Sequence, residues 1–267
     1  MTSRIRYRGA GGAAYITLAR PDRRNSLDLA TLDELGRSVR RARADDVRVV
    51  VLAADGDAFS VGGDLVAIAA ADDREQYVED LAETLHRAIT ELHNLEAVVV
   101  SVVTGVAAGA GVALAAAADV VLAAHSARFS IAYTKVGLSP DGGTSLLSAS
   151  LGLHRALYLA LLNPLLTAEE AMTAGLVAEV HPDDELPAAV ERVVGTLLTG
   201  SRTAQVVAKR LLRCASSPDP AWVMRREALT IRAAVGSADA QEGIAAFLDK
   251  RRPRFPSAGG SSAGDAG

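Results

Sequence analysis

The stretch from Ala97 to Asp119, AVVVSVVTGVAAGAGVALAAAAD, constrains this chain more than any other, because Ala97 to Ala118 carry no charge at all. The run is long enough for a membrane-spanning helix, but its internal pattern is wrong for one. Val98 to Val103 is β-branched apart from Ser101, which favours a buried strand. Gly105, Gly109 and Gly111 then break the run, and Ala113 to Ala118 suits a closely packed helix. Asp119 stops it, and Val120 to Ala124 forms another short strand. The expectation is strand, glycine loop, helix and strand, packed inside a soluble protein. A helix that begins after a glycine loop offers unpaired amides and a partial positive charge, suited to a phosphate, a carboxylate or a developing oxyanion. Glycine and alanine equally suit plain close packing of a central helix. The segment alone leaves both open.

The 267 residues allow one large domain or two small ones. Hydrophobic residues make up 49% and aromatics only 4%, so the core must be built from Ala, Val and Leu. A net charge of −4 points to neither nucleic acid nor an anionic membrane as partner. The single Cys214 excludes an internal disulfide and fits a reducing cytoplasm. The leading MTSRIRYRGAGG has no apolar core of a signal peptide. Cytoplasmic placement is therefore expected.

Along the chain, Ala13 to Ala19 is a strand closed by Arg20-Pro21-Asp22. Asn25 or Ser26 turns the backbone, and Asp28 caps a helix to about Ala44 with Leu32, Leu35 and Val39 on one face. Val47 to Ala53 is the next strand, so strand, helix and strand give an α/β crossover. Gly62-Gly63 lets a loop approach a ligand closely, or simply turns, and Asp64 can cap the segment after it. Residues 66–75 are rich in Ala and Asp and are expected to be mobile. Tyr77 to Leu95 is an amphipathic helix with Leu81, Leu85, Ile89 and Leu92 at helical spacing. His86 and His93 lie two turns apart on it, but nothing nearby completes a metal-ligand spacing, so packing or surface roles are expected and no metal.

Further on, Gly137 to Thr144 nearly spells a phosphate loop, yet Gly143 stands where its lysine belongs. Gly109-Ala110-Gly111 resembles part of a dinucleotide fingerprint, yet Leu114 replaces the third glycine. Neither supports a nucleotide cofactor. From Ser145 on, helices dominate, with a capping box at Thr167 to Glu170 and helices over 186–198, 204–214, 221–235 and 240–250. Pro253 and Pro256 end order. SAGGSSAGDAG is a low-complexity tail.

RPDRRNSLD, GDAFSVGGDL after a strand, TGVAAGAGVALAAAAD, FSIAYTKVGLSPDGGT, LTAEEAMTAGLV and EGIAAFLDKRRPRF occur in this order between about Ile5 and Phe255. Together they resemble the crotonase, or enoyl-CoA hydratase/isomerase, superfamily. The resemblance implies an α/β fold, a spiral of β-β-α turns over 1–198, with a C-terminal helical region at 199–255 that commonly mediates trimers or hexamers. A disordered tail at 256–267 completes the expected organisation. It further implies an acyl-CoA thioester as substrate, coenzyme A being part of that substrate and no separate cofactor being needed. The thioester carbonyl would sit between the main-chain amides of Gly63 and Ala110, preorganised donors for an enolate oxygen. Arg24, Asp64 and Leu65 would lie at the nucleotide end, and Lys250 near the phosphates.

Departures from the pattern bear on the chemistry. Family hydratases use two glutamates, and those positions fall on Ala113 and Tyr133. Asp141, in LSPDGGT, falls where isomerase-type members carry an acid, although an aspartate in a Pro-Asp-Gly turn also suits a bond to its own backbone. The resemblance therefore favours a double-bond isomerase with Asp141 as its acid–base group, a hydratase or a non-catalytic acyl-CoA binder being the alternatives.

Overall fold

The computed structural model describes residues 3–216 and 219–258. The chain opens with β1 (Ile5–Ala10) and β2 (Ala13–Leu18), an antiparallel hairpin turning at Gly11 and Gly12, both at positive φ. α1 (Leu29–Ala44) begins where Asp28 accepts the Thr31 N–H at 2.9 Å. Its Leu32, Leu35 and Val39 are buried, each worth about 1.5–3 kcal/mol against exposure. β3 (Val49–Ala54) and β4 (Ala58–Ser60) come next, then α2 (Leu65–Ala70) and α3 (Arg74–His93). β5 (Val98–Val103), β6 (Val106–Ala108), α4 (Ala110–Ala116) and β7 (Val120–Ala124) make up the uncharged stretch. After them lie β8 (Arg128–Ser130), a single-turn helix at Tyr133–Val136 and another at Thr144–Leu147, α5 (Ser148–Leu151) and α6 (Leu153–Leu162). β9 (Leu166–Thr167), α7 (Ala168–Thr173), β10 (Glu179–His181) and α8 (Leu186–Thr199) complete the spiral. Then α9 (Arg202–Ser216), α10 (Pro220–Val235) and α11 (Ala238–Leu248) end the chain's helices.

The strands form a six-stranded sheet, β1-β2-β3-β5-β7-β10, and a four-stranded sheet, β4-β6-β8-β9. Each pass of the chain lays one strand in each sheet: β3 then β4, β5 then β6, β7 then β8. Helices α2 and α3, α4, and α5 with α6 close the successive turns. This is the α/β spiral of β-β-α turns expected from the sequence. Helix α10 packs chiefly against α3, and α11 against α2 and the Tyr133–Val136 turn, so both return to the core of their own chain. Gly243 of α11 lies so close to that turn that a Cβ would fall 2.4 Å from the Val136 carbonyl carbon.

Two expectations change. The Ala- and Asp-rich 66–75 segment is ordered as α2 and the start of α3, because Asp64 and Asp73 each cap a helix through their carboxylates. In the tail, Pro256–Ala258 form a helical turn, held by Ser257 N–H donating to Asp239 at 3.0 Å; residues 259–267 lie outside the described residues. Among the described residues, no helix is long and apolar enough to cross a membrane. The Ala97–Ala118 run is instead divided between two sheets and a central helix, as its glycines require.

Candidate active site

The N-terminus of α4 meets the glycine loop after β4. Gly62 has φ of 86°, and a Cβ there would fall 2.8 Å from the Ala108 carbonyl oxygen and 3.1 Å from the Ala110 nitrogen. Only glycine allows that approach. The Gly62 carbonyl accepts the Leu27 N–H at 2.8 Å, and Asp64 N–H donates to the Leu27 carbonyl at 2.9 Å, so the amide of Gly63 between them is left out of this ladder. Among the described residues, neither the Gly63 nor the Ala110 N–H has a protein acceptor outside its own helix. The two amides named from the sequence thus lie in neighbouring loops, and one of them opens a helix.

Arg24 borders the same loop: its carbonyl accepts the Val61 N–H at 3.2 Å, and its exposed guanidinium stands 3.7 Å from Asp57. Asp64 is buried, and its carboxylate accepts the Ala67 N–H at 3.2 Å and the Ser26 hydroxyl at 3.0 Å. Its side chain is therefore committed to the fold, and its backbone N–H and carbonyl are bonded to Leu27 and Ile68. Leu65, half-buried, is the first residue of α2. Lys250 is exposed after α11, at φ of 53°, and makes no ion pair among the described residues.

Asp141 is buried in the loop between the two single-turn helices. Its carbonyl oxygen accepts the Tyr133 hydroxyl at 3.0 Å and the Thr144 hydroxyl at 2.6 Å, which fixes the loop's backbone. The next residue, Gly142, is so close to α4 that an added Cβ would lie 3.2 Å from the Ala113 side chain. Ala113 follows Ala110 by three residues, or about 4.5 Å along a helix. Asp141 therefore sits beside the first turns of the helix whose N-terminus presents the Ala110 amide.

Asp141 is not alone. Its Oδ1 lies 2.8 Å from Nε2 of His86 on α3, and the same Nε2 lies 3.7 Å from Oε2 of Glu227 on α10. Glu227 accepts the Gly143 N–H at 2.6 Å with Oε2 and the Ser145 N–H at 2.7 Å with Oε1. The Gly142 N–H points at His86 Nε2 from 3.2 Å. Oδ1 of Asp141, though at ion-pair distance from that nitrogen, has no hydrogen bond of acceptable geometry among the described residues. Burial pushes the Glu227 carboxyl up, aided by the Asp141 charge and opposed by the amides of Ser145 and Gly143. Burial, with the charges of Asp141 and Glu227, holds the Tyr133 phenol well above its ordinary value, so it stays neutral.

Of the surface and packing roles expected for His86, the surface one does not hold: it is 8% exposed and, within its packing, faces two carboxylates. The sequence distance between α3 and α10 hides the cluster. One signal is present: Glu227 falls on the stripe of Met224, Ala228, Ile231 and Val235, a charge on the buried face of its helix. The nearest donor atoms of His86, Asp141 and Glu227 all lie within 4.8 Å of one another, a spacing a cation could use. Each Glu227 oxygen already accepts one amide, so a cation there would share both oxygens with the loop backbone.

A cavity of about 510 Å³ opens beside the loop. Ala113, Gly142, Gly143 and Leu146 line its inner end, and Arg210, Arg213 and Cys214 its outer end. It touches the Asp141 loop at Gly142 and Gly143 but is lined by none of His86, Asp141, Glu227, Gly63 or Ala110.

The enoyl-CoA hydratase/isomerase family model matches residues 8–258. A probable enoyl-CoA hydratase of Rhodobacter capsulatus is 39% identical over 94% of this chain and 97% of that protein. A trans-2-decenoyl-acyl-carrier-protein isomerase of Streptococcus mutans is 33% identical, again over 94% of this chain and 97% of that protein. The crystal structure of an enoyl-CoA hydratase from Mycobacterium avium subsp. paratuberculosis matches with a TM-score of 0.87 at 33% identity, covering 96% of this chain and 99% of that chain. Built on the same spiral, this chain belongs to the crotonase superfamily of enoyl-CoA hydratases and isomerases.

Proposed function

We propose that the protein shifts a double bond along an acyl-CoA chain, converting a 3-enoyl to a 2-enoyl thioester. Asp141 removes a proton from C2, the amides of Gly63 and Ala110 hold the dienolate oxygen, and Asp141 returns the proton at C4. One carboxylate suffices because it works first as base and then as acid. Each amide is worth roughly 3 kcal/mol by analogy with other oxyanion holes. Coenzyme A enters with the substrate. Arg24 and the backbone at Asp64 and Leu65 border its entrance, and Lys250 is an exposed cation for its phosphates.

The observation that carries this proposal is the position of Asp141, packed beside α4 where Ala113 and a neutral Tyr133 offer no base. Glu227 is held against the loop by the amides of Gly143 and Ser145, and the same amides oppose the burial that raises its carboxyl. The relative named as an isomerase supports the reaction class, and the relatives named as hydratases keep water addition as the second reading. Steady-state turnover of a 3-enoyl-CoA against crotonyl-CoA separates the two. A protein that turns over neither but binds an acyl-CoA in calorimetry is a non-catalytic acyl-CoA binder.

A further inference from the structure

The proposed isomerisation gives no role to His86 or Glu227, although both are buried against its only reacting carboxylate. Two carboxylates and one imidazole converge from three elements: the Asp141 loop, α3 and α10. With every carboxylate ionised and the ring neutral, two negative charges would share a buried site. Like charges at this range resist joint ionisation. The cluster must therefore hold a proton, and Nε2 of His86 is the one atom both carboxylates approach, at 2.8 and 3.7 Å. The other groups near it are the neutral Tyr133 on the preceding turn and, along the α3–α10 seam, Glu79, which Arg225 meets at 3.4 Å and Arg232 also pairs.

We propose that His86 and Glu227 form a proton-holding and positioning pair for Asp141, a role that rests on the isomerase reading above. With Nε2 protonated, the imidazolium lies between the two carboxylates and keeps Asp141 ionised as the base. With Nε2 bare, it accepts the Gly142 N–H, as the 3.2 Å contact shows, and the proton sits on a carboxyl group. Gly142 is the residue next to Asp141, so the orientation of the catalytic loop depends on the position of that proton. Glu227 fixes the other side of the loop through Gly143 and Ser145. No proton is gained or lost overall: the one taken from C2 is returned at C4, and the resident one stays within the cluster.

The signs differ for the two partners. His86→Gln removes a cation from beside the base, so the acid limb of kcat/KM moves to higher pH. Glu227→Gln removes an anion, so the same limb moves to lower pH. Both variants are expected to lose about tenfold or more in kcat with KM little changed. A purely structural role would lower activity without moving the limb in opposite directions. Profiles that superimpose on the wild type, or move together, overturn the proposal. A readout independent of turnover is nitrogen NMR of histidine-labelled protein, in which His86 is assigned among the five histidines by the His86→Gln variant. Its titration midpoint is expected to fall in both Asp141→Asn and Glu227→Gln, since each loses an anion that favours the imidazolium. An unmoved midpoint removes the pairing even if the enzyme isomerises. A moved midpoint in a protein without isomerase activity keeps the pairing and rejects the isomerase reading. Activity lost to a chelator and restored by zinc would also overturn the proposal, placing a cation where the proton is assigned.

Discussion

Glu227 accepts the Gly143 amide proton at 2.6 Å across a sequence separation of 84 residues, so a helix near the end of the chain sets the loop that carries Asp141. The Ser145 amide, at 2.7 Å on the other carboxylate oxygen, completes the clamp. Glu227→Ala leaves these two buried donors without acceptors, each costing about 1–3 kcal/mol. The expected loss is a few kcal/mol, read as a lower urea midpoint at unchanged slope. Glu227→Gln keeps one acceptor oxygen and is expected to lose less. Equal midpoints for wild type and the alanine variant would show that the clamp contributes nothing to stability.

Asp141→Asn is nearly isosteric, and the Tyr133 and Thr144 hydroxyls that hold its backbone are untouched by it. Folding should survive, while the 3-to-2 shift falls by about a hundredfold or more, the ordinary worth of one acid–base group. Single-substrate kinetics on a 3-enoyl-CoA decide this. Equal rates remove Asp141 from the chemistry.

Helix α6 presents Leu153, Leu157, Tyr158, Leu161 and Leu162 to solvent at 44–69% exposure, and α9 adds Leu211 and Leu212. Apolar side chains in that density are costly in water and favour burial against a copy of the same chain. A homotrimer or hexamer is the expected species in light scattering at micromolar concentration. A single monomeric species would reject this assignment, whereas Leu161→Asp with Leu162→Asp should lower the measured mass of an assembled protein.

Much of the fold is legible in the sequence because its strongest signals are local. The β-branched run Val98–Val103 and the apolar run Val120–Ala124 are strands with those bounds, and the Thr167 capping box has both of its hydrogen bonds. Strand β1 carries a weaker signal: IRYRGA alternates Ile5 and Tyr7 with Arg6 and Arg8 over only four residues along a sheet edge and lacks a continuous apolar run. Helix α2 is hidden by LVAIAA, six residues with no polar face, whose start depends on the Asp64 carboxylate. At the site, glycines announce the amide loops, since close backbone approach requires them. The acid cluster has no such local mark. His86, Asp141 and Glu227 meet only when α3, a turn and α10 fold together, and each alone fits an ordinary role for its element.

Water addition to a 2-enoyl thioester needs one group to activate water and another to protonate C2, on the same face of the substrate. By the resemblance drawn from the sequence, Ala113 and Tyr133 fall where hydratases of the superfamily keep those groups. Ala113 has no acid, and the Tyr133 phenol is held well above its ordinary value by burial and by the charges of Asp141 and Glu227, so it is no base near neutral pH. Glu227 is engaged by Gly143 and Ser145. Hydration of crotonyl-CoA should therefore run at least about two orders of magnitude below isomerisation of a 3-enoyl-CoA. The Ala113 side chain lines the cavity of about 510 Å³, which leaves room for a longer group. Ala113→Glu is thus expected to fold and to gain hydration measurable by loss of the enoyl absorbance. If the unmodified protein already hydrates crotonyl-CoA as fast as it isomerises, another base acts in this site and the assignment of Ala113 and Tyr133 as the missing pair is wrong.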